Sequence, residues 1–270
     1  MNNTSSRPDQ SPASTEGPSK RSSIDLNADV GEGCGDDRAL ARVVSSFNIA
    51  CGGHVGDPST VRTAIELANE HGISVGAHPS YPDPDNFGRK SLSIAKETLV
   101  HSICEQIILV VETACDAGVT MKHVKPHGAL YNDAAKDPAL AETIAQCVAS
   151  ISERAPSIAG LMGPPSSALE VEAKKYNLPF IAEGFADRAY NADGSLVSRS
   201  KPGAVHTNVD TQISQALSMA TTQTVATLDG DIISLPVETI CLHGDTPNAA
   251  KHAVEIRAAL NAAGILVKAP

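Results

Sequence analysis

Ile24-Asp25-Leu26-Asn27-Ala28-Asp29-Val30-Gly31-Glu32 is the stretch on which the fold turns. Apolar and polar residues alternate through it, so Asp25, Asn27 and Asp29 share one face of a strand while Leu26, Ala28 and Val30 share the other. Three polar side chains in a row on one face suit the wall of a barrel, whose interior narrows toward a catalytic mouth. Four further stretches, Phe47 to His54, Ile73 to Pro79, His123 to Gly128 and Ile240 to Asp245, share one design. Each is an apolar run that ends abruptly in glycine and in acidic, amide or histidine side chains. Ligand-binding groups gather at the carboxyl ends of parallel strands, so five such ends predict a single enzyme site.

Apolar runs at 24–30, 47–51, 73–78, 123–127, 158–163, 179–185 and 239–243 read as strands. They alternate with helical patterns, the clearest at 95–117, where Leu99, Ile103, Ile107, Val110 and Ala114 recur on one face and Gly118 stops the helix. Other helices are expected to start near Asp37, Pro58, Asp137, Ser166, Asp210 and Pro247. Regular alternation predicts an α/β fold, a single seven-stranded β/α barrel, with an open doubly wound sheet as the alternative. The stretch 221–238 reads as an inserted β-hairpin. Residues 1–22, rich in Ser, Pro, Asn and Thr, read as a disordered and dispensable tail, and 23–270 as the catalytic domain.

Composition narrows the function. Aromatic residues are 3% of the 270 and tryptophan is absent, so the core must be aliphatic, as in a buried parallel sheet. A net charge of -10, without clusters of Lys and Arg, excludes nucleic acid as a partner and favours a small-molecule substrate. Six cysteines without CxxC spacing are expected to be reduced, and no apolar stretch of about 18 residues is apparent, which predicts a cytoplasmic protein without a membrane partner. Neither a GxxxxGK[ST] loop nor a GxSxG elbow occurs in the chain.

Several residues at the strand ends carry chemistry. Asp29 and Glu32 stand where the first strand becomes loop; two close carboxylates can divide into an acid and a base or hold a cation, or they form a plain acidic turn before Asp37. His54 lies in Cys51-Gly52-Gly53-His54-Val55-Gly56-Asp57-Pro58, a glycine turn that can seat an anion at a helix start, with Asp57 as a simple cap the alternative. His78 precedes Pro79, which keeps the chain extended and aims the imidazole into the mouth. Lys125 and His127 are two apart on one face, where a cation and an imidazole stabilise charge building on a carbonyl. His243 completes the catalytic set of Asp29, Glu32, His54, Lys125, His127 and His243, with Asp245 orienting it or capping the next helix. Asn27, Arg89, Arg188 and Asp245 are expected to bind substrate, arginine being suited to a two-point carboxylate clamp. Asp29, His78 and His127 are the three side chains that a hydrolytic metal site would require.

The ordered blocks Asp25-Leu26-Asn27-Ala28-Asp29-Val30-Gly31-Glu32, Asn48-Ile49-Ala50-Cys51-Gly52, Gly76-Ala77-His78-Pro79-Ser80-Tyr81-Pro82-Asp83, Asn86-Phe87-Gly88-Arg89, His123-Val124-Lys125-Pro126-His127-Gly128, Phe185-Ala186-Asp187-Arg188 and Cys241-Leu242-His243-Gly244-Asp245 resemble the LamB/YcsF family. Its members include the A subunit of prokaryotic 5-oxoprolinase and the lactam-utilisation protein of fungi. The resemblance implies a barrel like that of polysaccharide deacetylases and ATP-dependent opening of 5-oxoproline to L-glutamate, with other 5-oxoprolinase subunits as partners. It leaves 2-pyrrolidinone as another lactam substrate. A metal-dependent deacetylase or carbohydrate hydrolase using Mg or Zn, and a non-catalytic regulatory partner, are the competing readings. Gly53 stands where the motif carries an aromatic residue and Ser198 where it carries proline, which predicts a wider pocket.

Overall fold

The computed structural model describes residues 22–154, 160–242 and 248–270; most of the expected tail, residues 1–21, lies outside them. The elements in order are β1 (Ser23–Val30), α1 (Asp37–Leu40), β2 (Ser46–Ala50), α2 (Pro58–His71), β3 (Ser74–His78), α3 (Lys96–Asp116), β4 (Met121–Val124), α4 (Gly128–Ala134) and α5 (Pro138–Ser152). There follow β5 (Gly160–Gly163), α6 (Ala168–Lys175), β6 (Phe180–Phe185), α7 (Val209–Thr221), β7 (Thr224–Ala226), β8 (Ile232–Ser234), β9 (Thr239–Leu242), α8 (Ala249–Ala262) and β10 (Leu266–Val267). Seven parallel strands run β1-β2-β3-β4-β5-β6-β9, and pairing of β9 with β1 closes the ring. The fold is therefore the closed barrel rather than the open sheet. β10 adds a short pairing beside the start of β1, and Ser22, one residue before the expected domain boundary, accepts a hydrogen bond from Leu266.

Parity in β1 sets the two sides of the wall. Leu26, Ala28 and Val30 face outward into a single aliphatic core with Phe47, Ile49 and Val75 of the neighbouring strands and with Val61, Ile65, Ile103 and Ile107 of α2 and α3. Asp25, Asn27 and Asp29 face inward and build a polar column. Asp25 accepts hydrogen bonds from Ser45, Ser46 and Thr239, while Asn27 donates to Thr239 of neighbouring β9 and to Glu183 of β6 beyond it, and accepts from Asn48. Burial would make these groups costly if they were unpaired, so each polar residue of the column requires its neighbours.

The strand β4 ends at Val124, short of the expected 123–127, because Pro126 has no N–H to donate. Lys125 and His127 still donate their backbone N–H groups to Ala77 and Pro79, so both stay beside the end of β3. A Cβ at Gly76 would overlap the His123 ring, which crosses β3 only because that position is glycine. Helix starts follow the expected capping: Asp57 accepts from the N–H groups of Ser59 and Thr60, and Asp137 from those of Ala139 and Leu140. The expected start at Pro247 falls outside the described residues. β7 and β8 form the antiparallel hairpin expected within 221–238.

Two expectations are corrected. Helix α3, at 21 residues with mean hydropathy 1.4 over its most apolar window, is long and apolar enough to cross a membrane, contrary to the reading that no such stretch exists. Here its apolar face, Leu99, Ile103, Ile107 and Val110, is buried by packing against α2, α5, β3 and β4. The cysteines are not all reduced: Cys104 of α3 and Cys147 of α5 form a disulfide across the contact between these helices, with Cα atoms 6.1 Å apart. They are 43 residues apart, and only tertiary packing brings them together.

Candidate active site

The carboxyl ends of β1, β2, β3 and β4 bring Asp29, Glu32, His54, His78, Lys125 and His127 together. The Nε2 atom of His78 lies 3.0 Å from Nδ1 of His127 and 3.3 Å from Oδ2 of Asp29. His127 Nδ1 is 3.5 Å from Oε1 of Glu32. His54 stacks on His127 with ring centroids 3.7 Å apart and meets the same Glu32 oxygen through Nε2 at 3.0 Å.

Hydrogen bonding fixes which nitrogens face inward. His78 Nδ1 sits 2.8 Å from the carbonyl oxygen of Lys125, and His127 Nε2 sits 3.1 Å from that of Phe87. A carbonyl only accepts, so these two nitrogens carry protons and turn His78 Nε2 and His127 Nδ1 toward each other. Burial, reinforced by the neighbouring imidazoles of His78 and His54, holds the His127 pKa well below its ordinary value and keeps that ring neutral. His78 Nε2 and His127 Nδ1 lie beside two carboxylates, with ligand atoms of Asp29, Glu32, His78 and His127 all within 4.8 Å of one another. Such a set of electron-pair donors fits a divalent cation, and the backbone carbonyls that hold the far nitrogens are the supports usual behind metal-bound histidines.

Lys125, 2% exposed, lies beneath the cluster. Its ammonium is 2.9 Å from Asp29 Oδ1, 2.9 Å from Glu183 Oε1 and 3.1 Å from Cys241 Sγ. Burial favours a neutral amine, but Asp29, Cys241 and Glu183 together more than offset it, so the pKa is raised well above its ordinary value. Neighbouring His123 donates from Nε2 to Asn48 Oδ1 at 2.7 Å, and burial, Lys125 and His78 push its pKa down to about 3. The unfolded chain, with an ordinary histidine value of 6.5, takes up this proton first. Stability is therefore expected to fall as pH drops from 6.5 toward 3, by up to about 1.4 kcal/mol per pH unit. Urea midpoints measured between pH 8 and 4 should show this slope in the wild type and a flatter one in His123→Gln; equal slopes would assign it to other groups.

The remaining expected residues separate by position. Arg89 lies over the Phe87 ring and lines a cavity of about 420 Å³ with Asp29, Glu32, His78, Lys125 and His127. Arg188 also lines it, but its guanidinium donates to the carbonyls of Val197 and Ala204 and ties down the 189–204 loop. Asn27 is fully buried below the cavity, with its amide bonded to Glu183, Thr239, Asn48 and Lys125. His243 and Asp245 lie outside the described residues. Asp57 occupies the start of α2 as a capping residue, so that helix end does not seat an anion. The wider pocket expected at Gly53 is also corrected: a Cβ there would overlap Ser80 and Gln106, which fill that space, whereas Ser198 does line the cavity.

Glu183, Asn48, Ser80 and Tyr131 were missed from the sequence. Glu183 had a signal, a single carboxylate within the apolar run Phe180-Ile181-Ala182-Glu183-Gly184-Phe185, in register with inward-facing Phe185. Asn48 had one in its motif, since it pairs with Asp29 across β1 and β2.

A solved structure shares this architecture. A lactam utilization protein from Thermus thermophilus is 37% identical, with a TM-score of 0.85 over 92% of this chain and 100% of that one. A family 4 carbohydrate esterase from Streptomyces lividans, solved in complex with acetate, is 13% identical, with a TM-score of 0.44 over 92% of this chain and 93% of that one. The family model for the LamB/YcsF family matches residues 24–270, and the chain belongs to that family.

Proposed function

We propose that this chain is the lactam-opening subunit of a cytoplasmic ATP-dependent 5-oxoprolinase that converts 5-oxoproline to L-glutamate. The observation that carries the reading is the inward-facing His78–His127 pair beside Asp29 and Glu32, in a cavity of small-molecule size. Its occurrence in a family with a member named for lactam utilization supports the substrate class. A lactam carbonyl is a weak electrophile and needs polarisation at oxygen and a base for water. A Zn or Mg ion held by Asp29, His78 and His127 would act as a Lewis acid and lower the pKa of water. Glu32, whose Oε1 lies against His54 Nε2, takes the proton from attacking water. Lys125 fixes the Asp29 carboxylate, and Arg89 at the mouth takes the substrate carboxylate. His243 and Asp245 remain proposed members of the site.

ATP fits this chain only in part. Arg89, Lys136 and Arg199 around the cavity suit phosphates, yet the sequence has no Lys-bearing glycine loop. These residues do not make a complete nucleotide site, so the ATP-dependent work is assigned to partner subunits. The purified chain is expected to release little or no glutamate from 5-oxoproline with ATP, and glutamate should appear when partner subunits are added. Full activity of the chain alone would contradict this division of labour. Cleavage of an acetylated sugar, with neither 5-oxoproline nor 2-pyrrolidinone opened under any condition, would favour a deacetylase.

A further inference from the structure

Gln106 sits midway along α3, on the buried face of the helix with Ile103, Ile107 and Val110, and is 6% exposed. A buried amide among aliphatic neighbours costs free energy unless its polar atoms are paired. Here they are: Oε1 accepts the backbone N–H of Ser80 at 2.9 Å, while Nε2 donates to the Ser80 carbonyl at 2.9 Å and to Ser102 Oγ at 3.2 Å. Ser80 lies two residues past the end of β3, where the ladder no longer pairs its backbone. The Gln106 side chain thus supplies the donor and the acceptor that a neighbouring strand would otherwise present.

The Ser80 side chain leads from this clamp into the site. Its hydroxyl lies 2.8 Å from the Tyr81 carbonyl oxygen and 3.1 Å from His54 Nδ1. The His54 ring in turn stacks on His127 and sets its Nε2 3.0 Å from Glu32 Oε1. Gly53 belongs to the same arrangement, since a Cβ there would overlap both Gln106 Oε1 and Ser80 Oγ. Two residues before Gln106, the Cys104–Cys147 disulfide ties α3 to α5 and steadies the helix that carries the clamp. We propose that Gln106 is a positioning residue for Glu32, acting through Ser80 and His54 from the helix layer outside the barrel. Gln106 does not line the cavity that takes substrate, so its loss is felt in the catalytic step rather than in substrate binding. The inference rests on the lactam reading above and extends it beyond the residues at the strand ends.

The test is Gln106→Met, which keeps the length of the side chain and removes its donor and its acceptor. Hydrogen exchange at the Ser80 amide of the full chain should quicken at least about 10-fold. In the assembled enzyme, kcat for 5-oxoproline should fall about 10–100-fold with KM within about 2-fold of the wild type. Gly53→Ala disturbs the clamp from its other side and should produce the same two changes. Val110→Ala, which only loosens the packing of α3, should lower the melting temperature and leave Ser80 exchange and turnover as in the wild type. Unchanged Ser80 exchange in Gln106→Met and Gly53→Ala, or faster exchange with unchanged kcat, overturns the positioning role and leaves lactam opening standing. An assembled wild-type enzyme that opens no lactam overturns both.

Discussion

Asp29→Asn should lower lactam turnover by the assembled enzyme at least about 10²-fold while the barrel stays folded. The substitution is nearly isosteric, and the amide oxygen can keep the two donors that Oδ1 now accepts, Lys125 Nζ at 2.9 Å and Asn48 Nδ2 at 2.8 Å. Its NH₂ then takes the place of Oδ2, 3.3 Å from His78 Nε2, and sets a donor where a carboxylate oxygen stood. One change thus removes a carboxylate ligand and blocks a histidine ligand. Steady-state kinetics, with circular dichroism as the check on folding, decides the matter; turnover within a factor of two of wild type would move Asp29 from chemistry to support.

The largest loss of stability should come from Lys125→Met. Methionine fills the stem's volume but leaves the carboxylates of Asp29 and Glu183, 7% and 0% exposed, without their shared counter-charge. Breaking a buried ion pair on one side typically costs about 3–5 kcal/mol. For a domain of this size that corresponds to a melting temperature lower by roughly 10 °C. Adding Glu183→Gln to Lys125→Met removes one of the stranded charges and should restore part of the difference in scanning calorimetry. A single variant that melts with the wild type would show that the three groups are not coupled in this way.

Much of the fold was legible in the chain because period-two patterning and strand-end glycines are local signals. The alternation in Asp25, Asn27 and Asp29 placed a polar face inside a barrel, and the hydrogen bond from Asn27 to Glu183 reaches past β9 to β6 through the interior. Tertiary features were not legible in the same way. The Cys104–Cys147 pairing depends on how α3 meets α5, and the crowding at Gly53 depends on Gln106, 53 positions along the chain. The strand ends pointed to His54, His78 and His127, but not to the direction of each ring. That depends on the carbonyls of Lys125 and Phe87, whose positions follow from the loops. The saturation of the Lys125 ammonium by Asp29, Glu183 and Cys241 was equally hidden, and it makes the lysine an anchor within the site rather than a free donor to substrate.

The most direct measurement is calorimetric titration of Zn²⁺ and Mg²⁺ into chelator-treated protein at neutral pH, on the wild type and on His127→Ala. One divalent ion per chain should bind in the wild type, with affinity in the variant reduced about 100-fold or more. Absence of saturable binding to the wild type, or the same affinity and stoichiometry in His127→Ala, would contradict the assignment of Asp29, His78 and His127 as a metal centre.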